Sequence, residues 1–93
     1  MSDDEEIIQS QMQEILAELM SVERNSILPT KTFYELGLDS FLGLRFARKL
    51  EDKFSIKIDL EWVYDYPTLQ QFSMFLLRIL KERGIVTRDL QSK

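Results

Sequence analysis

The chain has 93 residues, of which 44% are hydrophobic and 30% are charged, and its formal net charge is −4. This length supports one small core, so we expect a single domain over residues 1–93, with a compact part at about 5–83 and a flexible tail at 85–93. The chain contains no cysteine and no histidine, which removes disulfides, thiolate chemistry, and the commonest metal ligand and general base. The composition therefore predicts neither catalytic residues nor a metal site, and it speaks against an enzyme.

Charge is distributed unevenly along the chain. Residues 1–23 contain seven acidic residues and no basic one, whereas the remainder contains nine acidic and twelve basic residues. The net negative charge argues against nucleic-acid binding, which depends on a positive field facing the phosphates. The sequence also has no long apolar run and no basic, apolar leader at its start, so we expect a cytoplasmic protein without a membrane segment.

Apolar residues recur at steps of three and four in the first part of the chain, which predicts an amphipathic helix from about residue 3 to Val22. Ser2 and Glu5 have the spacing of a capping box, and the acidic residues of the first turn suit the positive end of the helix dipole. The expected buried stripe of this helix is Ile8, Met12, Ile15, Leu19 and Val22.

A long connection follows at residues 23–39. It contains helix-breaking residues such as Pro29 and Gly37. It also contains four apolar residues that we expect to be buried, Ile27, Leu28, Phe33 and Leu36. This combination predicts a loop that is fixed to the core, and loops of this length within small domains are often functional.

The second helix is predicted over residues 41–54, where an apolar stripe repeats at every fourth position, at Leu42, Phe46, Leu50 and Phe54. A second set, consisting of Phe41, Leu44, Arg45 and Arg48, falls outside this stripe and is expected to be exposed. Gly43 costs about 1 kcal/mol relative to alanine inside a helix. We therefore expect another helix or a ligand to approach the backbone closely at Gly43.

A short third helix is predicted before Pro67, and Thr68 with Gln71 forms a capping box for a last helix that ends at Gly84. The fold predicted from these elements is all-α: a four-helix bundle with three longer helices, a short third helix, and a long loop between helices 1 and 2. The predicted core consists of Ile8, Met12, Ile15, Leu19, Leu36, Phe46, Leu50, Phe54, Ile58, Val63, Leu69, Phe72, Leu76 and Ile79.

Ser40 stands where the long connection meets the second helix. A hydroxyl there lies beside unpaired backbone amides, which together with the helix dipole favour a phosphate ester on that oxygen. Asp39 or Ser40 is also explained as a simple N-cap, and local features alone favour this interpretation. No histidine or lysine lies nearby to make the serine a nucleophile. The two interpretations are compatible, and both stay open at this point.

Residues 35–40 (ELGLDS) resemble the attachment motif of acyl carrier proteins, in which the serine after Gly-x-Asp carries a 4'-phosphopantetheine arm. Residues 64–69 (YDYPTL) are similar to the stretch that precedes the last helix in polyketide-type carriers. The resemblance covers residues 5–82 and implies that the arm is attached to Ser40. It implies a cofactor-binding role for the three residues before it, Gly37, Leu38 and Asp39. It also implies a phosphopantetheinyl transferase that installs the arm from coenzyme A with magnesium, which Asp39 would help to position.

The same resemblance implies a function. The arm holds acyl groups as thioesters and presents them to an acyltransferase, a ketosynthase or other enzymes of polyketide or fatty-acid-like biosynthesis, while the chain itself, a monomer, catalyses nothing. In the family the second helix meets these enzymes, so the predicted partner-binding residues are Phe41, Leu44, Arg45 and Arg48. This helix is basic, unlike the acidic second helix of fatty-acid carriers, and we expect acidic partner surfaces.

Two alternatives remain at this stage. A peptidyl carrier of nonribosomal synthesis would have the same architecture, although its motif usually has a glycine where this chain has Leu38. A plain helical interaction module would use Ser40 only as a cap. Near the last helix, we assign Trp62 to the rim of the core, and we leave Tyr64 open between the rim and a lining for the arm. Phe72 and Phe75 are assigned to the core.

Overall fold

The computed structural model describes residues 3–86, which form five α-helices and one short 3-10 helix. The α-helices are α1 (Asp3–Met20), α2 (Phe33–Leu36), α3 (Ser40–Phe54), α4 (Glu61–Asp65) and α5 (Leu69–Glu82), and the 3-10 helix spans Arg24–Ser26. One isolated β-bridge joins Thr32 and Thr68. The predicted all-α bundle with three long helices is confirmed. Within residues 3–86, no helix is both long enough and apolar enough to cross a membrane.

One hydrophobic core lies between the long helices, and α1 packs against both α3 and α5. Three phenylalanines from α2, α3 and α5 meet in it. The ring centroids of Phe33 and Phe46 are 5.6 Å apart, and that of Phe72 lies 6.1 Å and 6.2 Å from them, with all three pairs edge to face. Edge-to-face rings attract each other beyond the effect of burial alone. This contact therefore holds the short helix α2 against the two long helices.

The buried face of α1 differs from the predicted stripe. Ile8, Met12 and Leu16 recur at steps of four and are fully buried, so they mark the centre of the face. Residues Ile15 and Leu19, which were predicted to be core, lie on the flank and are only partly buried. Val22 is 43% exposed because α1 ends at Met20. The prediction was wrong at Ile15, Leu19 and Val22 because the apolar residues of α1 fit more than one stripe, and α3 and α5 cover the stripe through Ile8, Met12 and Leu16.

Outside α1, the predicted core is confirmed at Phe46, Leu50, Phe54, Ile58, Val63, Leu69, Phe72 and Leu76, all of which are buried. Leu36 and Ile79 are only partly buried and pack against this cluster. In the long helices, α1 included, and in the segment between α3 and α4, the structure also buries residues that the predicted core omits: Leu16, Ala17, Ala47, Ile56, Leu77 and Leu80. The omitted residues extend the same helical faces and the segment between α3 and α4.

The connection between α1 and α3 is not entirely irregular, because it contains α2. A capping box begins this helix: Thr32 Oγ1 accepts from Glu35 N at 3.0 Å, and Glu35 Oε1 accepts from Thr32 N at 2.9 Å. Ile27 and Phe33 are buried as predicted, whereas Leu28 is 45% exposed. The sequence TFYE at 32–35 has the threonine-x-x-glutamate form of a capping box. The prediction of a loop over residues 23–39 missed α2, although this local signal is present in the sequence.

Backbone hydrogen bonds fix this connection to the start of α5. Phe33 N donates to Pro67 O at 2.7 Å, and Gln70 N donates to Pro29 O at 3.1 Å. Together with the Phe33 ring in the core, these bonds prevent the connection from moving away from the bundle. The predicted fixed loop is thus confirmed, and its partner is the Pro67 turn.

The last helix, α5, begins at a threonine cap and is followed by a glycine with positive φ. The predicted N-cap of the last helix is confirmed, because Thr68 Oγ1 accepts from Gln71 N at 3.1 Å. Gly84, with φ +71°, follows the end of α5, and Ile85 is partly buried against the core, while the flexible tail at 85–93 stays a prediction. The Ser2 cap and residues 87–93 lie outside the described residues.

Candidate functional site

Ser40 is the first residue of α3, and its side chain is exposed. Asp39 is the N-cap of the helix: its Oδ1 accepts from Leu42 N at 2.9 Å, and its backbone oxygen accepts from Gly43 N at 2.8 Å. The capping interpretation is therefore confirmed for Asp39. The Ser40 hydroxyl has no hydrogen-bond partner among residues 3–86, so it stands free at the N-terminus of a 15-residue helix.

Gly37 places Ser40 by turning the chain between α2 and α3. Its φ is +99°, its N–H donates to Tyr34 O at 3.0 Å, and Leu38 N donates to Phe33 O at 2.9 Å. A Cβ built on Gly37 would lie 3.5 Å from Met20 Cε, which is an ordinary contact. The backbone angle, rather than a lack of space, therefore requires glycine here. The glycine of the motif thus has a structural function in ending α2.

A cavity of about 520 Å³ opens beside Ser40. Its side-chain lining is largely apolar and consists of Phe33, Tyr34, Leu38, Val63, Tyr64 and Pro67, with Thr32, Gly37, Asp39, Ser40 and Gly43 completing it. Tyr34 and Tyr64 are 88% and 62% exposed, whereas Phe33 and Val63 are buried. The cavity therefore extends from solvent to the surface of the core. Its size and lining are those of a small-molecule site.

The two aromatic residues before the last helix have different surroundings. Tyr64, which the sequence left open, lines the cavity beside Ser40. Trp62 is half-buried and packs edge to face on Phe75, with ring centroids 5.0 Å apart. Trp62 therefore covers the core, as predicted. Phe75 is partly buried instead of belonging to the core interior, and Tyr66 stacks on it at 4.2 Å.

Gly43 lines the same cavity from α3. A Cβ built on it would lie 3.9 Å from Leu60 Cδ1 and 4.0 Å from Leu38 Cδ2, both ordinary van der Waals distances. The expected close approach of another helix is therefore wrong within residues 3–86, whereas the expected approach of a ligand stays a prediction, because Gly43 faces the open cavity. A methyl group fits at this position, and it would take space next to the cavity.

The outer face of α3 consists of Phe41, Leu44, Arg45 and Arg48, all exposed as predicted. Phe41 is 65% exposed and Leu44 is 41% exposed. The guanidinium carbon of Arg45 lies 5.7 Å from the centroid of the Phe41 ring, which is within the range of a cation–π contact. Arg48 Nη1 lies 3.1 Å from Glu51 Oε1. This face begins one residue after Ser40 and combines apolar and basic side chains.

The carboxylate of Glu35, in the same motif as Ser40, accepts hydrogen bonds from Thr32. Hydrogen bonds from the Thr32 backbone and hydroxyl, with help from the charge of Lys31, lower the pKa of Glu35 against a smaller opposing effect of burial. Glu35 thus remains a carboxylate that holds the start of α2. Within the described residues, no cluster of three or more acidic side chains is arranged to hold a metal ion.

Comparisons with known proteins agree with this geometry. A family model described as "Phosphopantetheine attachment site" matches residues 10–76, a range that includes Ser40 and all residues lining the cavity. The chain is 31% identical over 78 residues to the acyl carrier protein of Cyanophora paradoxa, covering 83% of this chain and 76% of that protein. It is 30% identical over 69 residues to the polyketide synthase PksL of Bacillus subtilis (strain 168), covering 74% of this chain but only 2% of the synthase.

Among solved structures, a free-standing peptidyl carrier protein from Acinetobacter baumannii is similar, with a TM-score of 0.80 and 28% identity. The match covers 85% of this chain and 99% of that one. The relatives thus include both polyketide and peptidyl carriers.

Proposed function

Because the chain belongs to the phosphopantetheine-attachment family of carrier proteins, we propose that Ser40 carries the 4'-phosphopantetheine arm, the cofactor of this family. The observation that carries the proposal is the free, exposed hydroxyl of Ser40 at the N-terminus of α3, beside an apolar cavity. Through the arm, the chain transports acyl groups as thioesters between the enzymes of polyketide or fatty-acid-like biosynthesis.

The residues around Ser40 suit a phosphodiester on its oxygen. The N–H groups of Ser40 and Phe41 belong to the first turn of α3, where the helix offers no carbonyl partner and the helix dipole favours an anion. Leu38 and Gly37 line the cavity that receives the apolar part of the arm. Asp39 uses Oδ1 for the cap, and its second oxygen is left to position the magnesium ion during transfer.

We propose that the chain performs no bond chemistry itself. Carrier domains of this family work with biosynthetic enzymes of polyketide synthases. A phosphopantetheinyl transferase would install the arm, and an acyltransferase and a ketosynthase, or related enzymes, would load and unload it. The chain would act in the cytoplasm as a monomer, without nucleic acid or membrane. Hydrolysis of a thioester by the purified chain alone would contradict this proposal.

A peptidyl carrier is the second candidate, favoured by the TM-score of 0.80 with a solved peptidyl carrier. The acyl assignment is supported by Leu38 in place of a glycine and by YDYPTL at residues 64–69. Loading separates the two: we expect acyl transfer onto the arm from a malonyl- or acyl-specific acyltransferase. Faster loading by an amino-acid-activating enzyme would favour the peptidyl carrier.

We further propose that the outer face of α3 recognises the partner enzymes. Its exposed apolar and basic side chains fit a partner surface with apolar contacts and acidic groups. Arg45→Glu together with Arg48→Glu should reduce kcat/KM for acyl transfer by about tenfold, while unfolding changes by less than about 1 kcal/mol. The matched control, Arg78→Glu with Lys81→Glu, makes the same change of charge at two exposed positions of α5 that have the same spacing. Equal rates for the two double variants would exclude the recognition face.

The attachment site is tested by mass spectrometry of the intact protein after incubation with coenzyme A, magnesium and a broad-specificity phosphopantetheinyl transferase. We expect the mass of one phosphopantetheinyl group to be added to the native protein and to Ser26→Ala, a control at another exposed serine. Ser40→Ala should remain unmodified, because it lacks the hydroxyl that would carry the arm. It should remain folded, because this hydroxyl makes no hydrogen bond within residues 3–86. A folded native protein that several transferases leave unchanged would instead support the plain helical module.

A further inference from the structure

A second concavity, of about 510 Å³, lies between α3 and the segment that leads into α4. We call it the basic groove. Its apolar lining consists of Leu44, Ala47, Ile58, Leu60 and Trp62, and its charged lining consists of Arg48, Lys57, Asp59 and Arg83. The groove therefore combines an apolar floor with three basic side chains and one carboxylate. No part of the proposed attachment chemistry at Ser40 uses it.

Glu51 does not line the basic groove, but it accepts hydrogen bonds from two residues that do, Arg48 and Ile58. Glu51 Oε2 accepts from Ile58 N at 2.9 Å, and Glu51 Oε1 accepts from Arg48 Nη1 at 3.1 Å. The bond from Ile58 is the main reason that the pKa of Glu51 is lowered, with smaller contributions from Arg48 and Lys57 against an opposing effect of burial. The groove is thus already formed in the free protein, and Arg48 is held at its edge.

The carboxylate that lines the groove has a hydrogen-bond partner, whereas two of its three basic side chains form no ion pair with a described residue. Asp59 Oδ1 accepts from Glu61 N at 2.9 Å, so the one lining carboxylate is engaged at the start of α4. Lys57 and Arg83 form no ion pair with any described residue. Lys57 acts on Glu51 only through its charge and without a salt bridge, so both side chains keep their N–H donors available to an acidic group from outside.

The basic groove is continuous with the outer face of α3, because Leu44 and Arg48 belong to both. Leu44 lies four residues after Ser40, which is one helical turn or about 6 Å along the axis. A partner that brings its active site to Ser40 therefore comes within about one helical turn of the edge of the groove.

We propose that the basic groove docks an acidic amphipathic segment of a partner protein. One apolar side chain of that segment lies against Leu60 and Trp62, and its carboxylates face Lys57, Arg83 and Arg48. The apolar floor supplies the buried contact, and the unpaired cations supply orientation and selection against basic segments. The inference rests on the proposed function in one respect: the partner comes to the groove because it serves the arm on Ser40.

The test is a titration of the full-length, ¹⁵N-labelled protein, carrying its arm, followed by NMR. The probe is a synthetic helical peptide with leucines spaced three and four apart and glutamates at its other positions. The control peptide replaces every glutamate by lysine. We expect the glutamate peptide to shift the amide signals of residues 44–48, 57–62 and 83, with affinity that falls as salt is added. The lysine peptide should shift none of them.

Two double variants make the test specific. Lys57→Glu with Arg83→Glu should weaken binding of the glutamate peptide at least about tenfold. This pair leaves the Arg48–Glu51 bridge intact. The control pair, Lys49→Glu with Lys81→Glu, should change affinity less than about twofold, since neither residue lines the groove. Equal weakening by both pairs would show only nonspecific attraction and would overturn the proposal.

Other outcomes are also decisive. Shifts confined to Phe41 and Arg45 would retain the outer face and overturn the groove. The protein's own arm could also occupy the groove. In that case, attachment of the arm would shift the same amide signals in the absence of peptide, and added peptide would not bind. This result would also overturn the proposal. Mass spectrometry of the same samples reports separately on Ser40, so failure of attachment and failure of docking are distinguishable.

Discussion

Substitution of Asp39 separates its capping role from its proposed role in transfer. Asp39→Ala removes the acceptor for Leu42 N, a 2.9 Å hydrogen bond at the start of α3, and should cost about 1 kcal/mol of stability. Asp39→Asn keeps an oxygen that can accept from Leu42 N, and asparagine is as good an N-cap as aspartate. The loss of negative charge at the positive end of the helix dipole should cost the Asn variant no more than about 0.5 kcal/mol.

The two variants should differ in stability but not in modification. For a domain of this size, a loss of 1 kcal/mol lowers the melting temperature by about 4–8 °C, which circular dichroism resolves easily. If the carboxylate positions magnesium for the transferase, both variants should gain the phosphopantetheinyl group at least about tenfold more slowly, equivalent to about 1.4 kcal/mol of activation free energy. Mass spectrometry at early times measures this rate.

Two results would refute this reasoning. Asp39→Asn modified as fast as the native protein would reduce Asp39 to a cap. Asp39→Ala with an unchanged melting temperature would show that the hydrogen bond to Leu42 N contributes nothing, although its geometry is good. Slow modification of the Ala variant alone would point to distortion of the helix start rather than to lost charge.

The remaining predictions concern stability. Gly37→Ala should destabilise the fold by about 1 kcal/mol because the φ of +99° is strained for alanine. Gly43→Ala should stabilise the fold by up to about 1 kcal/mol because a methyl group fits at this position of α3. Denaturant titration should therefore give changes in the free energy of unfolding of opposite sign, and changes of the same sign would contradict this reasoning. The lowered pKa of Glu51 implies stability that is present above the unfolded-state pKa and lost as pH falls through the folded-state pKa. Glu51→Gln should therefore lose less stability than the native protein between pH 6 and the region below pH 4.5, measured by urea denaturation; parallel pH profiles would count against the hydrogen bond from Ile58.

The sequence predicts well those features that depend on neighbouring residues. The stripe at Phe46, Leu50 and Phe54 located the buried face of α3, and Asp39 and Thr68 were correctly placed at helix starts. Each of these signals lies within one or two helical turns. The same holds for the outer face of α3, because Phe41, Leu44, Arg45 and Arg48 lie on the side of the helix away from the stripe and are exposed.

Features that depend on distant segments were not predictable in the same way. The buried face of α1 is decided by which neighbours it contacts, and α1 contacts α3 and α5 together, so Leu16 is buried instead of Ile15. Gly43 looked like a point of close approach, yet the side chains next to it, Leu38 and Leu60, leave ordinary space. Hydrophobic spacing describes one helix at a time and contains no information about the surfaces it meets.

The position of Ser40 results from both kinds of information. The motif supplies Gly37, whose positive φ ends α2, and Asp39, which starts α3. Neither residue places the serine beside a cavity. That depends on the hydrogen bond from Phe33 N to Pro67 O, which joins segments more than thirty residues apart and brings Tyr64 opposite α3. The motif therefore exposes the hydroxyl, and the fold supplies the surface next to it.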